Sequence, residues 1–187
     1  MEGKVLENRI IEHCAPTLAG IKSASLFNYF HAGEKVVQEE LKEVNALLNE
    51  KGVYVEALLW REKSVLIYTY RPKQLQKELE LPGVMRLLAK YGYQNCKADE
   101  CICYLKKRLC DETCFPHEIG LFLGYPLEDV EGFIEYKGKN FKYCGLWKVY
   151  CNVDEKEKLF GKLKKCTEVY VKVFSEGRSL IQMTVCA

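Results

Sequence analysis

The segment EIGLFLGY, residues 118–125, constrains the fold most because it is apolar at both alternating sets of positions. We interpret it as a β-strand with Ile119, Leu121 and Leu123 on one face and glycine or phenylalanine on the other. A strand that is apolar on both faces lies in the middle of a sheet that is covered on both sides. The polar residues at its start, led by His117, would emerge at the rim of that sheet. The segment therefore predicts a sheet with helices packed on both faces.

Helical and strand-like patterns alternate along the rest of the chain. The predicted helices cover residues 2–12, a short piece from Pro16, 34–51, two pieces of 72–92, 98–110, 126–137 and a long run from Asp154. The predicted strands cover residues 25–30, 53–60, 64–70, 118–125, 141–151 and 179–185. This order predicts a single domain over residues 1–187, α/β or mixed α+β, with a central mixed sheet of about five strands.

Charge and hydropathy argue against two classes of partner. The 28 basic and 26 acidic residues nearly balance, whereas a protein that binds nucleic acid needs a basic excess to displace counterions. No apolar run approaches the roughly 20 residues of a membrane span, and none at the N-terminus suits a signal peptide. We therefore expect a cytoplasmic protein with no nucleic-acid or membrane partner, whose ten cysteines are mostly thiols.

Cys14 and His117 are the candidates for a catalytic or metal site. Cys14, in HCAPTLAG, is predicted to lie between the end of one helix and the start of the next, where a helix dipole would stabilise its thiolate. His117 precedes the predicted strand, and Glu118 beside it could orient or assist the imidazole. Either the histidine takes the proton of the thiol, or both side chains bind one metal ion. The alternative is a small buried cysteine and a histidine that satisfies the backbone of a turn.

Arg71 ends the second strand of a predicted hairpin, directly after Tyr70. Its planar guanidinium suits a carboxylate or phosphate, and Pro72 would leave it at the rim of the sheet. The alternative is an ordinary surface arginine. The lysines of the C-terminal half, Lys148 among them, are interpreted as a solvated face, and the alternative is a patch that binds phosphate or nucleic acid.

A cluster of cysteines does not have the spacing of a metal site. Structural zinc sites use two pairs of ligands, each pair separated by two to four residues. Cys101 and Cys103 are two apart on a predicted helix, so they do not face each other. We predict that Cys101, Cys103 and Cys110 bind no metal. The full cluster is Cys96, Cys101, Cys103, Cys110 and Cys114.

Four segments together resemble the bacterial domain-of-unknown-function family numbered 3793: HCAPTLAGIK, YRPKQL, FPHEIGLFLGYPLEDVEGFI and CGLWKVYCN. The resemblance covers nearly the whole chain. The resemblance implies that the protein belongs to an anaerobic bacterium and that its gene lies near genes for flavodoxin-like proteins. It hence implies a redox or metal setting, with a flavodoxin-like redox partner. The positions that match the motifs are Cys14, Lys22, Tyr70, Arg71, His117, Glu118, Tyr125, Cys144 and Trp147. The ligand-binding candidates among them are Lys22, Tyr70, Arg71 and Tyr125.

A second resemblance is to papain-like cysteine peptidases. CAPTLAGIKSASLFNYF is similar to their Cys-Gly-Pro-Thr helix, and HEIGLFLGY is similar to their segment of histidine, strand and Gly-Tyr. Ala15 stands where glycine is usual, and only Asn140 and Asn152 are candidates for the third catalytic residue. The resemblance implies a Cys14 nucleophile with His117 as its base.

Three functions stay open. The first is an accessory protein linked to a transition metal, a haem or another redox cofactor, with Cys14, His117 and Cys144 as metal ligands. The second is an enzyme, a papain-like hydrolase or acyl transferase, with Cys14 as nucleophile. The third is a scaffold that binds a partner without chemistry. The redox setting that the family resemblance implies favours the first function.

Overall fold

A computed structural model describes residues 5–31, 33–94, 97–111 and 115–186. The protein is of the mixed α+β class. Its internal contacts divide it into unit 1, which is Met1–Leu75 with Cys166–Ala187, and unit 2, which is Gln76–Lys165. The single domain over residues 1–187 stays a prediction. Among the described helices, none has the length and apolar character needed to cross a membrane.

An antiparallel sheet lies at the centre of unit 1. Its strands are β1 (Ala24–Phe30), β2 (Tyr54–Trp60) and β3 (Ser64–Tyr70), in the order β1-β3-β2. β-Branched and aromatic residues are frequent in all three, as the pleated surface of a sheet favours. The predicted β2–β3 hairpin is confirmed, and Arg61 N donates to Ser64 O at 2.8 Å in its turn. The middle strand, β3, is buried on both faces from Val65 onward.

Helices cover one face of this sheet. They are α1 (Val5–Leu18), α2 (Glu34–Leu48) and α9 (Leu180–Met183). A 3-10 turn at Asn49–Lys51 follows α2 and ends at Gly52, whose φ of 73° is a left-handed conformation that glycine adopts without strain. One buried cluster joins these helices to the sheet: Leu6, Ile10, Ile11, Cys14, Leu18, Phe27, Tyr29, Val37, Val44, Leu48, Val53, Val55, Val65, Ile67, Leu180 and Met183.

Unit 2 is mainly helical. Its elements are α4 (Pro82–Lys90), α5 (Ala98–Cys110), α6 (Ile119–Phe122), α7 (Leu127–Glu135) and a small hairpin of β4 (Tyr143–Cys144) and β5 (Lys148–Val149). Two further helices, α3 (Pro72–Leu79) and α8 (Val153–Ser175), begin in one unit and end in the other. Pro72 and Pro82 lie in the first turns of their helices, where the absent N–H has no partner to lose.

The predicted strand EIGLFLGY is wrong, because its first half forms the helical turn α6. Leu123 N donates to Ile119 O at 3.1 Å, which closes the turn. A short run that is apolar at every position suits a buried helical turn as well as a buried strand, so periodicity alone cannot separate the two. A Cβ on Gly120 would lie 2.8 Å from the side chain of Val130, which shows how closely α6 packs on α7.

The single strand predicted over residues 141–151 is also wrong, because the segment folds back as the β4–β5 hairpin. Gly145 N donates to Trp147 O at 3.1 Å in the tip. A Cβ on Gly145 would overlap the Phe160 ring of α8, so the tip needs a glycine where it meets the helix. The hairpin, and not a continuous strand, therefore places Trp147 and its neighbours.

Two further expectations about the chain ends are corrected. The tail predicted as a strand over residues 179–185 contains α9, since Ser179 and Gln182 form a capping box at its start. The predicted break at Pro16 is absent, because α1 runs through it to Leu18. With two predicted strands replaced by helices and a third folded into a hairpin, the central mixed sheet of five strands does not form. The described residues hold a three-stranded and a two-stranded sheet, both antiparallel.

Candidate functional site

Cys14 lies inside α1, fully buried against the sheet of unit 1. Its thiol donates to the Oγ1 atom of Thr69 at 3.4 Å. Burial raises the pKa of the thiol to about 12, and the opposing effects of Thr69 and Lys22 are smaller. The predicted position at a helix N-terminus is wrong, since Cys14 lies near the end of α1, where the helix dipole disfavours a thiolate. These are the surroundings of a core residue, and a nucleophilic Cys14 stays a prediction that they do not support.

We expect Cys14 to react with iodoacetamide at least about a thousandfold more slowly than the exposed thiol of Cys103 on α5. A rise of the pKa from 9.0 to about 12 lowers the thiolate fraction by about that factor, and burial also blocks the reagent. Mass spectrometry of the native protein after timed labelling measures both rates. Equal rates at the two cysteines would reveal a reactive thiol and strengthen the nucleophile hypothesis.

His117 lies in unit 2, in the turn that leads into α6 and not at the start of a strand, and its side chain is exposed. Its ring meets Phe133 edge-on, with ring centroids 5.0 Å apart, and lies 6.0 Å from the ring centroid of Phe115. Cys14 belongs to unit 1 and His117 to unit 2. A site that combines the Cys14 thiol with the His117 imidazole therefore stays a prediction.

Glu118, the predicted partner of His117, is buried and bonded to other side chains of unit 2. Its Oε1 atom accepts from Arg108 Nε of α5 and from Tyr93 OH, the latter at 3.2 Å. Burial raises the pKa of Tyr93, and the negative charge of Glu118 adds to that effect, so the phenol remains a donor. Glu118 thus ties the turn before α6 to α5, and its catalytic role stays a prediction without support.

Arg71 is buried at the end of β3, and its guanidinium binds backbone carbonyls of unit 1. Its Nε donates to Thr17 O at 2.6 Å. Its Nη2 donates to Leu18 O and to Val185 O, both at 2.7 Å. The planar fork therefore closes the C-terminal end of α1 and holds the tail, and a role for Arg71 in binding a carboxylate or phosphate stays a prediction.

Tyr70 and Lys22 are also engaged within unit 1. Tyr70 OH donates to Glu56 Oε1 at 2.5 Å, and its ring stacks on Tyr68 with centroids 5.0 Å apart. Lys22 lies half-buried in the bend after α1, where its backbone N–H donates to Pro16 O at 3.1 Å. Neither residue lines a described cavity, and their ligand-binding roles stay predictions.

Two motif segments meet in unit 2 around a cavity of about 310 Å³. One runs from Phe115 through α6 to Phe133, and the other is the tip of the β4–β5 hairpin. The cavity therefore brings together His117, Tyr125 and Trp147, three of the motif positions. Small-molecule sites are mostly apolar cavities of ~300–1,000 Å³ with a few polar groups, so this cavity is of the right kind and at the small end. Its lining consists of Phe115, His117, Ile119, Gly120, Leu123, Tyr125, Asp129, Val130, Phe133, Leu146, Trp147 and Lys148.

A stack of aromatic rings forms one wall of the cavity. The rings of Tyr125 and Trp147 are 24° from parallel, with centroids 4.5 Å apart. Trp147 also meets Phe160 of α8 edge-on, with centroids 4.4 Å apart. Each such pair adds roughly 0.5–1.5 kcal/mol beyond the burial of its area, so the indole is held in one orientation. Burial raises the pKa of Tyr125, which keeps its phenol protonated.

Asp129 fixes the position of this wall, and its place at the start of a helix is one that acidic residues commonly occupy. It is buried in the first turn of α7. Its Oδ2 atom accepts from Trp147 Nε1 at 2.8 Å, and its Oδ1 atom accepts from Tyr150 N at 2.9 Å. Gly132, one turn later, leaves room for the Tyr150 ring, which a Cβ there would overlap. The carboxylate thus joins α7 to the hairpin, and no local sequence signal separates it from a helix-start charge.

Lys148 places a positive charge at the cavity, where the sequence favoured a solvated lysine. Its Nζ donates to Gly138 O at 2.7 Å. The same atom lies 5.6 Å from the ring centroid of Phe133 and 4.9 Å from that of Phe141. Within the part of the chain that is described, no carboxylate forms an ion pair with Lys148.

A metal site at Cys14, His117 and Cys144 has no support. Among residues 5–31, 33–94, 97–111 and 115–186, no group of three or more His, Cys, Asp or Glu side chains is placed to hold a metal ion. Cys144 is an exposed free thiol on β4 and does not line the cavity.

The cysteine-rich helix is α5, as predicted. Cys101 is buried, and Cys103 and Cys110 are exposed; all three are free thiols. Cys96 and Cys114 lie outside the described residues. The expectation that α5 binds no metal stays a prediction.

A family model described as "Protein of unknown function (DUF3793)" matches residues 10–184. The matched span contains both segments that line the cavity. Comparison with curated proteins and with solved structures gave no significant match, and the likeness to papain-like peptidases is not shown.

Proposed function

The chain belongs to the DUF3793 family of proteins of unknown function, which assigns it no activity, and we propose from the geometry of unit 2 that it binds a flat aromatic small molecule. The observation that carries the proposal is the Tyr125–Trp147 ring stack, which Asp129 fixes at the wall of a mostly apolar cavity. Aromatic rings prefer to pack on such a wall in offset or edge-on contact. The site is called the aromatic cavity.

The polar groups of the aromatic cavity suit a binding protein better than a catalyst. Both oxygens of Asp129 accept hydrogen bonds from within unit 2, so this carboxylate positions Trp147. His117 contacts rings, and its predicted partner Glu118 bonds to Arg108 and Tyr93. Binding without a catalytic pair agrees with an accessory protein, and the ligand would be a cofactor or a metabolite.

The size of the cavity narrows the ligand. A volume of about 310 Å³ favours a molecule of about one to three fused rings, whereas a haem macrocycle is larger than the cavity. A flavodoxin-like redox partner, implied by the family resemblance, stays part of the proposal. So does a cytoplasmic location, which the free thiols of the eight described cysteines support.

We expect 1-naphthalenemethanol, a neutral two-ring probe, to bind with a Kd on the order of 0.1 mM in isothermal titration calorimetry. The variant Leu146→Trp should bind it at least about tenfold more weakly. Leu146 lines the cavity with a side chain that is 46% exposed, so a larger ring there fills the mouth without disturbing the core.

The matched control is Leu81→Trp. Leu81 is 55% exposed just before α4 and does not line the cavity, so this variant should bind like the wild type. The proposal would be wrong if 1-naphthalenemethanol did not bind the wild type, or if both variants weakened its binding equally.

A further inference from the structure

We infer that the ligand of the aromatic cavity carries an anionic group, such as a carboxylate, sulfonate or phosphate, and that Lys148 selects it. The inference rests on the proposed function and adds the charge of the ligand. Lys148 lines the same cavity as the Tyr125–Trp147 wall. One small molecule can therefore contact the rings and the ammonium together.

The ammonium of Lys148 has hydrogen-bond donors available for a ligand. It carries three N–H groups, and one of them is used by Gly138 O at 2.7 Å. That bond fixes the nitrogen while two N–H groups remain for a ligand. A hydrogen bond from an ammonium to an anion is roughly twice as strong as one between neutral groups, so an anionic ligand gains most from this site.

The turn that holds Lys148 has an unusual backbone. Lys137, Gly138 and Asn140 have φ angles of 52°, 72° and 56°, all in the left-handed region. Residues other than glycine adopt this region at a cost of about 1 kcal/mol or more, so packing must hold the turn. A Cβ on Gly138 would lie 3.1 Å from the Phe133 ring and 3.3 Å from Lys148 Nζ. Glycine therefore allows the ammonium and the ring to approach this turn closely.

No carboxylate of the described residues forms an ion pair with Lys148. Asp129 is the acidic residue of the lining, and its two oxygens accept hydrogen bonds from Trp147 and from the backbone of Tyr150. Glu131 and Glu135 of α7 do not line the cavity. The neighbouring segment adds charge of the same sign, because its three lysines are exposed: Lys137, Lys139 and Lys142. Several positive charges in one region attract ligands of the opposite sign.

The rings of Phe133 and Phe141 help to hold the charged nitrogen of Lys148 in place. Both lie within about 6 Å of the ammonium, the range in which a ring face attracts a cation. They replace part of the water around the nitrogen and so raise the strength of its interaction with an anion. A flat ring that bears one anionic group matches the aromatic wall and the ammonium at once.

The test compares 1-naphthoate with 1-naphthalenemethanol, which share a ring system and differ in charge. Isothermal titration calorimetry of the wild type should show about tenfold tighter binding of the anion. In Lys148→Gln, which retains a long stem and a donor for Gly138 O, the two probes should bind equally. Lys148→Met provides a second variant without any donor, and circular dichroism checks the fold of both. Lys139→Met is the matched control, because Lys139 is exposed and does not line the cavity.

Each outcome bears on one statement. If naphthoate and naphthalenemethanol bind the wild type equally, the anionic ligand is refuted while the aromatic cavity stands. A preference that survives in both folded Lys148 variants refutes the role of Lys148. If neither probe binds the wild type, the proposed function itself has failed. Loss of the preference in the Lys148 variants and its retention in Lys139→Met supports the inference.

Discussion

Replacement of Arg71 by methionine should lower the free energy of unfolding by at least about 3 kcal/mol, because three hydrogen bonds to a charged group are lost and each contributes roughly 1.5–3 kcal/mol. Methionine fills similar space but donates no hydrogen bond. The carbonyls of Thr17, Leu18 and Val185 would each lose the guanidinium as a donor. Thr17 O and Leu18 O would keep only their backbone donors, Gly20 N and Val185 N. Thr17 and Leu18 end α1, where a positive charge also offsets the helix dipole.

Urea unfolding followed by circular dichroism measures this effect, and Arg61→Met is the matched control. Arg61 lies in the exposed turn of the β2–β3 hairpin, where its Nη1 donates to Asn28 Oδ1 at 3.1 Å. Its loss should change the free energy of unfolding by less than about 0.5–1 kcal/mol. An Arg71→Met protein as stable as the Arg61→Met protein would mean that the guanidinium is not a structural clamp, and the ligand-binding role predicted from the sequence would gain weight.

Replacement of Asp129 by alanine should cost about 3–6 kcal/mol of stability and abolish binding of aromatic probes. The Asp129 carboxylate accepts one hydrogen bond from the indole of Trp147 and one from the backbone N–H of Tyr150, the residue after β5. Each hydrogen bond to a charged group contributes roughly 1.5–3 kcal/mol. Without the carboxylate, Trp147 loses the contact that sets its orientation against Tyr125. The variant should therefore fail to bind 1-naphthalenemethanol under conditions where it is still folded.

Fluorescence in a Trp60→Phe background reports on Trp147 alone, because the chain contains two tryptophans. The Asp129→Ala change should shift the emission of Trp147 to longer wavelength as the indole meets water. Asp154→Ala, in the exposed first turn of α8, is the control and should alter neither emission nor binding. Unchanged emission and unchanged probe affinity in Asp129→Ala would refute the positioning role of this carboxylate.

Long periodic segments of the fold could be predicted from the sequence. The helix α2, with Val37, Val44 and Leu48 buried on one face, and the β2–β3 hairpin both follow the period of their apolar residues. The segment EIGLFLGY could not be assigned, because a run of apolar residues carries no period. The error at Pro16 has another cause: a proline near the end of a helix removes one hydrogen bond, and packing of the flanking Cys14 and Leu18 outweighs that loss.

The site was predictable only in part. The motif around His117 and Tyr125 pointed to a region of the chain that lines the cavity. The roles of Asp129 and Lys148 depend on contacts between α7 and a hairpin that the sequence suggested was one strand. Cys14 was selected for its chemistry, but reactivity depends on exposure, which the sequence does not display. Side-chain chemistry alone therefore could not distinguish a core thiol from a reactive one.

The discontinuity of unit 1 has a consequence for synthesis of the protein on the ribosome. Its first 75 residues need the segment 166–187, which supplies Leu180 and Met183 to the core and Val185 O to Arg71. At about 5–20 residues per second, that segment follows residue 75 by roughly 5–20 seconds. Unit 2 is continuous and emerges within this interval, so the nascent chain can complete its middle part before its beginning. During that time the N-terminal segment carries apolar surface that only later residues cover, and such surface is prone to aggregation until the segment 166–187 arrives.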